Sequence, residues 1–167
     1  MHAEMTKRVN ASAEDIWAAF NDWGGIWRFQ PWVVRSPLLS QNNEGVGAKR
    51  RCEFVDKTSI VETITKIEDG RAIHMSLSET PKPMKGGMSV IRLSPSGNGT
   101  DVIVEMDIEI GMGPLGAIMG NLMMKPMMKK RVSLMLESLE HHLKTGGKID
   151  SKGVKHSSPS AAGAVPA

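Results

Sequence analysis

The chain is poor in cysteine, with Cys52 the only one in 167 residues. A single thiol excludes a disulfide framework and a multi-cysteine metal site, and it suits a reducing, cytoplasmic setting. Long apolar runs are missing too. No stretch of about 18 apolar residues is present to span a bilayer. The start, MHAEMTKRVNASAEDI, has no uninterrupted apolar core of a secretory signal. Net charge is only +3, and Lys148, Lys152 and Lys155 stand against Asp150 near the C-terminus. The remaining body is nearly neutral, which argues against a nucleic-acid binder that needs a basic face. No internal repeat is visible.

Methionine, by contrast, is concentrated. Seven of the thirteen fall between Met112 and Met135, inside GMGPLGAIMGNLMMKPMMKKRVSLMLESLEHHLKTGG. Methionine is unbranched and polarizable, so it re-packs around irregular apolar shapes where leucine would fix one geometry. A helix carrying so many of them reads as a pocket wall.

The length fits one domain with a continuous core and room for a cavity. Residues 1–146 read as that domain. Residues 147–167, GKIDSKGVKHSSPSAAGAVPA, are small and polar and predict a disordered tail. Residues 2–9 are β-like. Ser12 stands three residues before Asp15, a capping-box-like start just ahead of Ile16, Trp17, Ala19 and Phe20, for a helix of about two turns from Ala13. Trp23, Trp27 and Trp32 then fall within ten residues around two glycines and a proline, so this turn-plus-helix should pack on the open side of a sheet.

Residues 33–110 alternate strand patterns with turn signals at NNEG, VDK, EDG, PKPMKGG and SPSGNG. Spacings this short leave no room for crossover helices and predict an antiparallel meander. In TDVIVEMDIEI, Val102, Val104, Met106, Ile108 and Ile110 alternate with acids. In RAIHMSLSE, Ile73, Met75 and Leu77 alternate with His74, Ser76 and Ser78. One face of the sheet is therefore covered and the other wet.

The cover is the last helix. Residues 115–145 would extend roughly 45 Å at ~1.5 Å per residue, enough to cross the whole sheet. Met128, Val132, Met135, Leu136, Leu139 and Leu143 form its anchoring stripe. Pro126 predicts a kink, and Gly113, Pro114, Gly116 and Gly120 soften the half before it. Met119, Met123 and Met127 recur every four residues and would form one slanted stripe, either a plastic lid or gap-filling core.

This order of elements resembles the helix-grip fold of the START-like (SRPBCC) superfamily, within it the polyketide cyclase/dehydrase-like branch. The matching pieces are VNASAEDIWAAFND, GVGAKRRCEF, IVETITKIEDGRAIHMSLSE, GTDVIVEMDIEI and PLGAIMGNLMMKPMMKKRVSLMLESLEHHLKTG, which together cover residues 2–146. The resemblance implies an α+β fold: a curved antiparallel sheet of about seven strands around a long C-terminal helix, with two short helices after the first strand. It also implies a cavity between sheet and helix for a small hydrophobic ligand, and no cofactor.

Arg50 resembles a pocket-facing arginine of such relatives, and strand alternation gives Cys52 and Phe54 the same direction. Its guanidinium could hold a carboxylate or enolate-like oxygen, or could simply pair with Glu62. Glu62 resembles an acidic cavity position, suited to proton transfer if buried and to a structural ion pair otherwise. Met75 and Met106 join the lining from the strands. Trp27 and Trp32 join it from the second helix, and Met119, Met123 and Met127 from the last. His74 alternates with serines and should face solvent. His141 and His142 are adjacent, lack a third ligand at metal spacing, and do not read as a metal site. Cys52 has no partner base. Lys125, Lys129, Lys130 and Arg131 form a basic run suited either to a solvated face or to peripheral contact with an anionic membrane.

Three functions compete. The first is a non-catalytic intracellular carrier for a lipid, isoprenoid or polyketide-like molecule, oriented by Arg50 and Glu62. The second is a cyclase or dehydratase in which Arg50 polarises a carbonyl and Glu62 moves a proton. The third is a partner-interaction module with a filled core.

Overall fold

The computed structural model describes residues 1–111 and 113–157. Strand β1 (His2–Val9) leads into α1 (Ala13–Asn21) and a short 3-10 helix (Trp23–Arg28). Then come β2 (Val33–Arg35), β3 (Lys49–Phe54), β4 (Ser59–Glu68), β5 (Ala72–Ser78), β6 (Met84–Ser96) and β7 (Gly99–Ile110). The helical run that follows is α2 (Gly113–Met119), a π-helical turn (Gly120–Met124) and α3 (Lys125–Thr145), and a hairpin of β8 (Lys148–Ile149) and β9 (Lys155–His156) comes last.

The seven strands form one antiparallel sheet in the order β1-β7-β6-β5-β4-β3-β2, with β1 and β2 at its open edges. This is the helix-grip architecture. Period-two alternation sets its faces: Val102, Val104, Met106 and Ile108 are buried on the concave side, as are Ile73 and Met75. His74 lies on the convex side, where its Nε2 is 3.0 Å from Glu68.

Ser12 caps α1 as its sequence predicts, its Oγ accepting a hydrogen bond from the Asp15 amide at 3.0 Å. Ile16 and Phe20 are thereby turned into the core. The 3-10 helix has three residues per turn, so Trp23, Ile26 and the following Phe29 share its buried face. Trp27 falls off that face and is 44% exposed.

Helix α3 crosses the concave side. Val132, Met135, Leu136 and Leu139 are buried there, with Met128 and Leu143 partly so. Its outer residues tie it to the end of β1: Lys7 Nζ is 2.6 Å from Glu137, and Glu140 accepts from the backbone amide of Asn10 at 3.0 Å. Gly146, at φ 70°, ends the helix in the left-handed conformation that glycine adopts without a Cβ penalty.

The break expected at Pro126 is a π turn just upstream of it. Proline offers no N–H to the carbonyl four residues back, and its ring crowds that carbonyl. Widening the preceding turn relieves both problems and rotates everything before it about the helix axis.

Residues 147–157, expected to be disordered, instead form the β8–β9 hairpin against α3. Ser138 Oγ accepts from the amide of Ile149 at 2.9 Å and lies 3.3 Å from its carbonyl, and Ile149 is buried. Lys148 Nζ donates to the carbonyls of Trp27 and Val33, both at 2.8 Å. Composition alone misses this, because one isoleucine and one lysine supply the docking energy for an otherwise polar segment. Residues 158–167 of the expected tail lie outside the described residues. Among the described residues, no helix is long and apolar enough to cross a membrane.

Candidate functional site

A cavity of about 150 Å³ lies between the concave sheet and α3. Its floor is built by cross-strand neighbours: Met75 pairs with Ser89 and Ser89 with Met106, while Ile91 pairs with Val104. Cys52 and Ile60 pair on one flank, and Phe54 stands beside them on β3. Met128, Arg131, Val132 and Met135 of α3 form the roof, and Ile26, Gln30, Trp32 and Val33 close the side beneath the 3-10 helix. Most of this lining is apolar.

Two charged groups sit at its β3–β4 end. Arg50 and Glu62 face each other across the two strands. Arg50 is 2% exposed, and both its Nε and Nη2 lie 2.6 Å from the same Glu62 oxygen, Oε2. Nη1 donates to the carbonyl of Trp23 at 2.9 Å, and the guanidinium carbon sits 3.7 Å from the centroid of the Trp23 ring. The arginine is thus held from three sides by groups of the protein itself. A buried guanidinium needs this, since each unmet donor in an apolar site costs desolvation energy. Cys52 Sγ is 3.3 Å from the same Oε2 of Glu62. Burial first, and the Glu62 carboxylate second, push the thiol far above its ordinary range, so it stays protonated and is a poor nucleophile.

Of the residues singled out in sequence, Trp32, Arg50, Cys52, Phe54, Glu62, Met75 and Met106 come together around this cavity. Trp27 does not, because the 3-10 register turns it outward beside a shallow surface groove with Gly24 and Val34. Met123 and Met127 do not either: they are 70% and 43% exposed, and Met119 is half-buried in α2. The four-residue stripe assumed an unbroken α-helix, and the π turn removes that regularity. Met128 and Met135 line the cavity in their place. Arg131, Gln30 and Ile26 were also unforeseen. The spacing of Arg131, three residues after Met128 and four before Met135, placed it beside the α3 stripe and could have pointed to it.

The histidines serve local structure. His141 Nε2 lies 3.1 Å from the carbonyl of His156, and His142 Nδ1 lies 2.9 Å from that of Gly147, both in or next to the C-terminal hairpin.

The antiparallel sheet wrapped on one long helix is the helix-grip fold of the START-like class. The chain belongs to the family described as "Polyketide cyclase / dehydrase and lipid transport", whose profile matches residues 1–144. Among solved structures it is similar to the protein TTHA0849 from Thermus thermophilus, at 17% identity and TM-score 0.69, covering 86% of this chain and 97% of that one. A START superfamily protein from Mycobacterium smegmatis matches at 17% identity and TM-score 0.65, with 86% and 97% covered. Ara h 8.0201 matches at 12% identity and TM-score 0.68, again over 86% and 97%. These likenesses speak to the fold alone. No curated protein matches the chain in sequence.

Proposed function

We propose that this protein is an intracellular carrier or binding protein for a small hydrophobic molecule held in the cavity between sheet and α3. The observation that carries this reading is the cavity itself: an apolar space roofed by Met128 and Met135, with its one fully buried cation already satisfied. Arg50 commits Nε, Nη1 and Nη2 to Glu62 and Trp23, so a substrate carbonyl would have to displace protein partners to be polarised. That favours the carrier over the cyclase or dehydratase.

The volume bounds the ligand. A space of about 150 Å³ accepts one benzene-sized ring or a chain of about six carbons, well below the ~300 Å³ at which drug-sized pockets begin. A longer lipid, isoprenoid or multi-ring polyketide requires the methionine roof to give way. Six carbons transferred from water contribute about 5 kcal/mol at ~0.8 kcal/mol each, a dissociation constant of a few tenths of a millimolar before any polar contact.

A second reading concerns where loading happens. Ile118, Leu122, Met123 and Met127 are 56%, 72%, 70% and 43% exposed, and Lys125, Lys129 and Lys130 flank them. Apolar side chains beside cations suit an anionic lipid surface.

Native mass spectrometry of the protein isolated from its own source tests the main reading. A small hydrophobic adduct, released on denaturation and extractable into organic solvent, is the expected result. A bare chain that also fails to bind hydrophobic probes would overturn it.

A further inference from the structure

The cavity has a second arginine, and the protein does not pair it. Arg131 lines the roof and is half-buried, yet among the described residues it makes no hydrogen bond and no salt bridge. Its one strong neighbour is the Trp32 ring, with the guanidinium carbon 5.3 Å from the centroid. Arg50, in the same cavity, has carboxylate, carbonyl and indole all at contact distance. One arginine is closed on itself by the fold, and the other is presented.

The surroundings of Arg131 keep it available for an anion. Lys125, Lys129 and Lys130 lie on the same helix, and the first acid on α3 is Glu137. Asp56, in the turn between β3 and β4, is near enough to feel the charge of Arg131 but makes no hydrogen bond or salt bridge with it. Its Oδ1 is already occupied by the amide and hydroxyl of Thr58 at 3.0 and 2.6 Å. A cation–π position over an indole leaves the N–H edges of a guanidinium free, and its planar fork matches a carboxylate bidentately. Trp32, Gln30, Phe54, Met128 and Arg131 are all half-buried lining residues, so this edge of the cavity reaches solvent. An anionic head can therefore stay partly hydrated there while its apolar part enters.

We infer that Arg131, over the Trp32 ring at a solvent-reaching edge of the cavity, recognises the carboxylate of a short-chain or single-ring carboxylic acid whose apolar part fills the cavity. This rests on the ligand-binding reading above and names its ligand class.

Titrations of hexanoate and 1-hexanol at neutral pH, followed by calorimetry or NMR, test it. They differ in the head group alone. The wild-type protein should bind hexanoate about tenfold more tightly than hexanol. Arg131→Gln should lose that preference while holding hexanol within about twofold, and Arg131→Lys should keep part of it. Unchanged binding of hexanol by the variants shows that the cavity is intact. Equal or weaker binding of hexanoate by the wild type, or a preference that survives Arg131→Gln, overturns the inference and leaves the carrier reading standing. Failure of both ligands to bind the wild type overturns the two together.

Discussion

The guanidinium of Arg50 lies on the indole of Trp23, 3.7 Å from the ring centroid, and donates to the carbonyl of the same residue at 2.9 Å. One tryptophan thus supplies both a face and an acceptor to a cation that the sheet buries, and Glu62 supplies the countercharge at 2.6 Å. This contact locks the 3-10 helix to β3 and sets one end of the cavity.

Breaking that assembly from one side should be strongly destabilising. Arg50→Met leaves the Glu62 carboxylate without its partner, 13% exposed at its side chain, and should cost about 3–5 kcal/mol in urea denaturation. The double variant Arg50→Met with Glu62→Leu should lose less than the single one, because no orphaned charge remains. A double variant that is additive in its losses would show that the pair is not coupled.

Cys52 should be silent as a thiol. With burial and Glu62 both opposing the thiolate, a disulfide reagent at pH 8 should leave the folded protein unlabelled while reacting at once with protein in urea. Prompt labelling of the native state would place Cys52 elsewhere.

Glu140 carries a pH dependence of known sign. Burial works against its ionisation, but the Asn10 amide and the Lys144 ammonium outweigh it and hold its pKa near 2, below the ordinary 4.5. The folded-state value is the depressed one, so the stability contributed is fully present above pH 4.5 and is lost as pH falls towards 2. Glu140→Gln should cost about 1–2 kcal/mol at neutral pH, after allowance for solvent screening. The difference between variant and wild type should close over that window, as read by thermal melts at stepped pH.

The exposed apolar ridge makes a prediction for membranes. Cosedimentation with vesicles rich in phosphatidylglycerol should exceed that with neutral phosphatidylcholine vesicles. Leu122→Asp with Met123→Asp should abolish it without changing the melting temperature by more than a degree or two, since both side chains are already in water. Equal sedimentation with both vesicle types would sink the membrane reading.

Much of the architecture was legible in the residues. The two-residue period of TDVIVEMDIEI predicts the concave face of β7 because a strand admits only two side-chain directions. The Ser12 cap and the turn signals mark element ends through local chemistry. The site was legible on the strands and less so on the helices. Arg50 rests on the family resemblance and alternation extends its direction to Cys52 and Phe54, but Trp27 and the Met119, Met123 and Met127 stripe assumed α-helical spacing where the chain adopts 3-10 and π turns. A change of less than one residue per turn is invisible in composition and moves a side chain from cavity to solvent. The β8–β9 hairpin escaped for a different reason. Its order comes from Ser138 and from two carbonyls over a hundred residues earlier, and no local pattern encodes such contacts.

The most direct test of a ligand in this cavity uses the methionines themselves as reporters. With ¹³C-labelled methyl groups, titration of a six-carbon or single-ring ligand should shift the resonances of Met75, Met106, Met128 and Met135, which line the cavity, and leave Met123 and Met127 unmoved. Shifts confined to Met123 and Met127, or no shifts at ligand concentrations of several millimolar, would contradict the account.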